Sequence, residues 1–460
     1  MKLKKLTSHY FIFLPYLILS LYISINSDIS IFLLELFLFL LYGVCIIWTI
    51  FNINKYPLAF IITALFGLFI YSRFILDLWN LLPYDIRSQT RFVHNYFEDK
   101  TISETIIIYI ISIMGLMSGF LIMDSNNKKT LKKKLANEKF IYKIGILFLI
   151  LSAPGLIYKM YLLISMVNEL GYLSLYKIDN PSDLIRTIEF TSYKLYLLGI
   201  SLLLSCNLNK KQFYFLAILM VVISGVYLSL GKRAEFGIST IFLIWYWFSY
   251  LHRERKINIK LSLLILVGLI SFSFIFQYIN YYRTDSETNK STKDISIINF
   301  LASQGVSGIV LPYYIEYKDI INRDSYPYIM APIIDRMHRG GASMRVINNT
   351  NYLSYELTYA ISHEAYLNGE GVGASYIVEL YEGGKASVFL GMAFLGMLVI
   401  FIEIRKNTPY IKYLSLLFVM TLLFLPRGEF FEYFYEFILF SLVWYFLNIV
   451  SHRLRSGYEQ

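Results

Sequence analysis

The apolar positions of this 460-residue chain gather into about twelve long runs, separated by short turns rich in Lys and Arg. A run of roughly 18 or more apolar residues can cross the hydrocarbon core of a bilayer as a helix, so the rhythm of the pattern is that of membrane crossing. The expected spans are 9–27, 31–51, 56–76, 104–123, 140–166, 188–206, 213–231, 236–251, 261–280, 386–404, 411–426 and 430–450. One connection breaks the rhythm. Residues 280–385, rich in Arg, Tyr, Gly and His, separate an N-terminal bundle of nine spans (1–279) from three C-terminal spans (386–460). This connection lacks the low complexity of a disordered tether and carries apolar stretches of its own. It is therefore expected to be structured, with 297–317 along or dipping into the interface and 354–381 forming a partly helical cap. The predicted fold is an all-α polytopic membrane protein of about twelve transmembrane helices with one large, structured, outward-facing loop.

Composition agrees with that reading. A chain that is 57% hydrophobic and 18% aromatic leaves too little polar surface to coat a soluble globule. The net charge of +10 does not imply nucleic acid, because most Lys/Arg clusters lie at span ends, where the positive-inside bias puts them. With Lys2, Lys4 and Lys5 inside, the clusters at 128–134, 210–211, 253–260, 405–412 and 453–455 all fall on the same side. Both termini are then cytoplasmic. The first apolar run has no small-x-small cleavage site after it, so it is read as a retained helix. The same assignment exports 77–103, 167–187 and 280–385, together with tight turns around Lys232-Arg233 and at Pro426-Arg427-Gly428-Glu429. Cys45 and Cys206 lie in or beside apolar runs and offer neither a disulfide framework nor a thiolate metal site.

No phosphate-binding glycine loop and no His/Asp/Glu group at metal spacing occurs, so neither metal nor cofactor is expected. His363-Glu364 begins like a zinc-protease motif, but Leu367 stands where the second His belongs. Gly305-Val306-Ser307-Gly308 matches a short serine-protease pattern that recurs by chance in a chain with 25 glycines, and it is read as interfacial helix. What remains is arginine at membrane edges. Arg73 lies near the end of the third span, Arg233 and Arg427 in tight outward turns, Arg283 beyond the ninth span, and Arg323, Arg336, Arg339 and Arg345 in the long loop. A single outward cation is explained by snorkelling or by a neighbour such as Asp77 or Glu235. For the set, a guanidinium fork that binds phosphate bidentately fits better, and the ligand it suits is a lipid-linked diphosphate.

Three stretches carry a resemblance. Arg73-Phe74-Ile75-Leu76-Asp77, Gly231-Lys232-Arg233, and the segment from Ile361 to Gly384 together resemble the O-antigen polysaccharide polymerase family, Wzy. That last segment holds His363, Glu364, Gly369, Gly371, Gly373, Ser375, Tyr376 and Glu379. The resemblance implies a metal-independent glycosyltransferase of the bacterial inner membrane. Such an enzyme moves a growing glycan from undecaprenyl diphosphate to an incoming lipid-linked repeat unit at the outer face. Its partners would be the lipid-linked oligosaccharide, membrane lipids, and a chain-length regulator and flippase of the same pathway.

In that chemistry a sugar hydroxyl loses its proton as it attacks the anomeric carbon, and fixed cations hold the leaving diphosphate. His363 is expected as the proton acceptor, with Glu364 or Glu379 as orienting or alternative carboxylates. Arg73, Arg233, Arg283, Arg427, Arg336 and Arg339 are the expected diphosphate ligands. Gly371, Gly373, Ser375 and Tyr376 are expected to contact glycan or phosphate, although a glycine run of this kind also reads as a plain turn before a helix. A lipid-linked oligosaccharide flippase and an O-antigen ligase are the competing readings. The flippase would need its cations in a membrane-centred cavity and has no use for a hundred-residue loop.

Overall fold

The computed structural model describes residues 29–88, 96–125, 137–170, 183–231, 233–251, 296–321, 326–338 and 340–458. The described residues are helical, with no β-strand among them and one isolated bridge between Ser88 and Tyr96. Seven helical segments among them have the length and composition to cross a bilayer: Ile31–Phe51 (α1), Pro57–Leu78, Asp99–Ser125 (α4), Glu138–Glu169 within α5 (Glu138–Leu170), Lys210–Ser229 (α7), Gly384–Arg405 (α16) and Phe434–Ser451 within α18 (Phe434–Tyr458). The second of these is composite: α2 (Pro57–Phe66), a π-helical turn (Gly67–Tyr71) and α3 (Ser72–Leu78).

The expected twelve spans are thus matched in part. Spans 9–27 and 261–280 lie outside the described residues. The span expected at 411–426 is the shorter helix α17 (Pro409–Phe424). The spans expected at 188–206 and 236–251 are helices too, α6 (Asp183–Ser205) and α8 (Arg233–Tyr246). Neither is among the seven: α6 carries Asp183, Arg186, Glu189 and Lys194 in its first half, and α8 runs on through a π-turn to Leu251.

Glycine sets the closest helix contact. A Cβ at Gly115 or Gly119 on α4 would collide with the carbonyls of Phe389 or Ala393 on α16, and one at Gly396 with the carbonyl of Leu116. Between membrane helices the solvent gives no hydrophobic drive, so close backbone approach supplies the attraction, and Gly115-x-x-x-Gly119 permits it. Gly145 and Gly199 do the same between α5 and α6.

One buried polar node ties the opposite ends of several helices. Glu403 on α16 accepts from the Leu58 amide (2.8 Å), Trp245 Nε1 (2.8 Å) and Lys406 Nζ (2.6 Å). Lys412 donates to the Cys206 carbonyl at 2.7 Å. Lys406 and Lys412, read in the sequence as part of a basic cluster at the membrane edge, are therefore interior residues with protein partners.

The long connection is packed. Its described part contains α9 (Ile297–Gln304), a 3₁₀ turn (Gly305–Ile309), α10 (Val310–Ile321), a 3₁₀ turn (Tyr328–Met330), α11 (Ala331–Ile334), α12 (Met344–Asn349), α13 (Leu353–Ile361), α14 (His363–Leu367) and α15 (Tyr376–Tyr381). Tyr313, Tyr352 and Tyr366 are fully buried within it. A loop that buries its own aromatic side chains has a core, which is why it holds helices despite its polar residues.

Candidate functional site

The π-turn Gly67–Tyr71 is where the long connection meets the bundle. Gly308 lies against the Ile70 backbone so closely that a Cβ would strike its carbonyl, and a Cβ at Gly305 would strike the Ser72 hydroxyl. Tyr109 on α4 donates to the Gly308 carbonyl at 2.6 Å, and Ser72 Oγ donates to both Leu68 (2.8 Å) and Leu301 (3.1 Å) carbonyls. The glycines at 305 and 308 are therefore backbone contacts in a 3₁₀ turn. Both glycines lie in a helical segment, as expected, and the approach is one that only a residue without Cβ allows.

That docking fixes Arg73. It is 6% exposed, its Nε donates to the Ala302 carbonyl at 2.8 Å, and its guanidinium lies 5.2 Å from the Tyr84 ring centre. Arg427 approaches the same turn from the C-terminal side, with its guanidinium 5.0 Å over the ring of Phe69. Phe69 belongs to the π-turn, one helical turn ahead of Arg73. Two arginines remote in sequence thus share one neighbourhood. The chain reverses at Arg427 because its amide bonds the Phe424 carbonyl (2.8 Å), and Gly428 leaves room for the Phe424 ring.

Helix α15 docks onto this reversal. The Tyr376 amide donates to the Leu425 carbonyl (3.1 Å), the Tyr376 ring stacks on Phe430 with centroids 4.9 Å apart, and the Phe430 amide donates to Glu379 Oε2 (3.2 Å). Glu379 is 3% exposed, and its Oε1 and the buried Oγ of Ser375, four residues earlier, have no hydrogen-bond partner among the described residues. Ser375 is the extended N-cap residue of α15 and Glu379 lies in its first turn, so both unmet polar atoms belong to the N-terminal end of this helix. Burial pushes the Glu379 carboxyl well above the ordinary carboxylate range, the neighbouring Glu429 raises it further, and the Phe430 amide offsets part of this.

The remaining expected residues are dispersed. Arg233 opens α8, half-buried, with Glu235 in the same first turn. Arg336 bonds Glu436 Oε1 (3.0 Å) and the Glu432 carbonyl (3.1 Å), and Lys194 reaches Glu436 at 3.2 Å, so Arg336 ties the connection to α18 and α6. His363 and Glu364 are exposed on α14, with the His363 ring 3.9 Å from that of Tyr359. No described contact joins His363 to Glu379, Arg73 or Arg427. Gly373, at φ +95°, and Gly369, at φ +77°, shape the turns that lead into α15. Gly371 lies between them, beside the Val372 amide that donates to Thr358 Oγ1 at 3.1 Å. Arg283, Arg323 and Arg339 lie outside the described residues. Phe69 and Tyr109 were missed by sequence reasoning, because nothing local marks a Phe in a span or a Tyr on a helix as the neighbour of a distant arginine or glycine.

Residues 7–455 match the family model described as O-antigen polysaccharide polymerase Wzy. No curated protein and no solved structure matches the chain. The match covers nearly the whole chain, including the π-turn, the long connection and the reversal at Arg427, and its membrane-spanning helices suit a polytopic family: this chain belongs to the O-antigen polysaccharide polymerase family, Wzy.

Proposed function

We propose that the protein polymerises lipid-diphosphate-linked oligosaccharide repeat units at the outer face of the bacterial inner membrane, with both termini cytoplasmic. The growing glycan is transferred from its lipid diphosphate to a hydroxyl of the incoming unit. The hydroxyl oxygen attacks the anomeric carbon, the bond from that carbon to the diphosphate oxygen breaks, and the diphosphate leaves with the electron pair. Arg427 and Arg73 stabilise the charge that develops on it. The hydroxyl proton passes to the deprotonated carboxylate of Glu379.

The observation that carries this assignment is the convergence of Arg73, Arg427 and the buried Glu379 on one π-turn and one chain reversal, drawn from three separate stretches of sequence. Burial also favours Glu379 over His363 as the proton acceptor, since a carboxyl with a raised affinity for protons is a stronger base once ionised. Arg336, already paired with Glu436, is assigned to holding the connection in place. The test is elongation of synthetic lipid-diphosphate-linked repeat units by purified protein in vesicles. Glu379→Gln is expected to slow turnover by about 10²–10⁴-fold, the usual contribution of a positioned base. Arg427→Lys keeps the charge but loses the fork, and is expected to impair turnover strongly. Wild-type elongation by both variants at normal abundance would overturn the site.

A further inference from the structure

A concavity is joined to this site through α15. A cleft of about 650 Å³ opens between the N-terminal end of α4 and the C-terminal end of α10. Its volume falls within the range of small-ligand sites. Glu98, Glu104 and Glu316 outnumber Lys100 and Lys318 along its walls. Carboxylates in excess repel a diphosphate, so this cleft is unfit for the anion that Arg73 and Arg427 suit. Its chemistry fits a polyhydroxylated ligand instead: carboxylates accept from hydroxyls, ammoniums donate to them, and Tyr96 and Tyr317 offer aromatic surface to the apolar faces of sugar rings. Tyr96 is 68% exposed, a high value for a large aromatic that has not been drawn into the core.

Both walls continue into the site described above. Tyr381 donates to Glu104 Oε1 at 2.5 Å, and Tyr381 lies two residues beyond Glu379 on α15. The six residues of α15 span roughly 9 Å at 1.5 Å per residue. The other wall, α10, starts where the Gly305–Ile309 turn ends, and that turn is the one packed against Ile70, Ser72 and Arg73. The Tyr381 ring also meets that of Tyr314 on α10 edge to face, at 6.2 Å, so the two walls are braced against each other.

From this geometry we infer that the cleft is a glycan-binding subsite, holding sugar residues of a repeat unit at a distance from the diphosphate and presenting one end of the chain toward Glu379. The inference rests on the polymerase reading and adds to it a place where sugar is recognised apart from the lipid carrier.

The test uses the full-length protein in nanodiscs, titrated with the free repeat-unit oligosaccharide released from its lipid by mild acid, with binding followed by saturation-transfer NMR. The wild type is expected to bind. Tyr96→Ala and Tyr317→Ala are expected to weaken binding about tenfold, the size of effect a stacking side chain has on truncation. Arg427→Lys is expected to leave oligosaccharide binding unchanged. In elongation assays the tyrosine variants are expected to raise the KM for the acceptor unit while kcat is largely kept, which a general loss of folding would not produce. Equal affinity in the wild type and both tyrosine variants would overturn the subsite. A wild type that elongates lipid-linked units but binds no free oligosaccharide would overturn it too, with the polymerase reading intact. A wild type that does neither would remove both.

Discussion

Glu379 carries the sharpest residue-scale consequence. A group that holds its proton more tightly folded than unfolded contributes stability that is full below the ordinary carboxylate range, and that stability is lost as pH climbs through its raised folded value. Since Glu379 is raised by burial and by Glu429, its contribution to native stability should fall as pH rises above about 4.3, the ordinary glutamate value. Glutamine keeps the shape of the neutral carboxyl and carries no such penalty. Thermal unfolding of wild type and Glu379→Gln in detergent at pH 5 and pH 8 is expected to show the variant gaining on the wild type at the higher pH, although it is the less active protein. A gap that does not change with pH would mean that Glu379 stays ionised in the fold, and its assignment as a strong base would lose its basis. At this scale the sequence was informative about residue type. Arg73 and Arg427 stood out because outward cations oppose the bias of the other clusters. The burial that favours Glu379 over His363 in the proposed mechanism was harder to read, because it depends on a contact between α15 and a reversal some fifty residues later. Arg336 looked like a phosphate ligand for the same reason: its partners Glu432 and Glu436 lie about a hundred residues downstream.

Between elements, glycine does the positioning that charge does within the site. α4 and α16 approach until a Cβ at Gly396 would overlap the Leu116 carbonyl, whereas one at Gly43 on α1 would meet nothing within 4 Å. Gly396→Leu is therefore expected to cost about 1–3 kcal/mol, the usual range for overpacking. Gly43→Leu should cost close to nothing. Unfolding temperature of the two purified variants separates these outcomes, and equal behaviour would show that the α4 and α16 contact does not govern stability. The apolar runs made the helices themselves legible, since length alone distinguishes a span from a core helix. Their interruptions were less so. The π-turn at Gly67–Tyr71 lies inside an unbroken apolar run, and the widened turn packs against Gly308, more than two hundred residues away. Gly305 and Gly308 were visible as a motif, but the neighbour they admit, the chain at Ile70 and Ser72, was not.

For the whole molecule, the long connection forms helices that bring Ala302, Gly308 and α15 against helices of the membrane bundle, so the proposed site lies where the two parts meet. Arg336, Glu436 and Lys194 brace the same assembly from its other side. A molecule built this way is expected to act on a substrate that is half lipid and half sugar, with the diphosphate at the junction. Family membership and this geometry make the same claim about cells, and electrophoresis of surface glycan from a deletion strain tests it most directly. The expected result is loss of the polymer ladder with single repeat units still present at the surface, and return of the ladder on complementation with the wild-type chain but not with Glu379→Gln. An unchanged ladder in the deletion strain, surface glycan with no single units, or units trapped inside the cell would contradict the account, the last two in favour of a ligase or a flippase respectively.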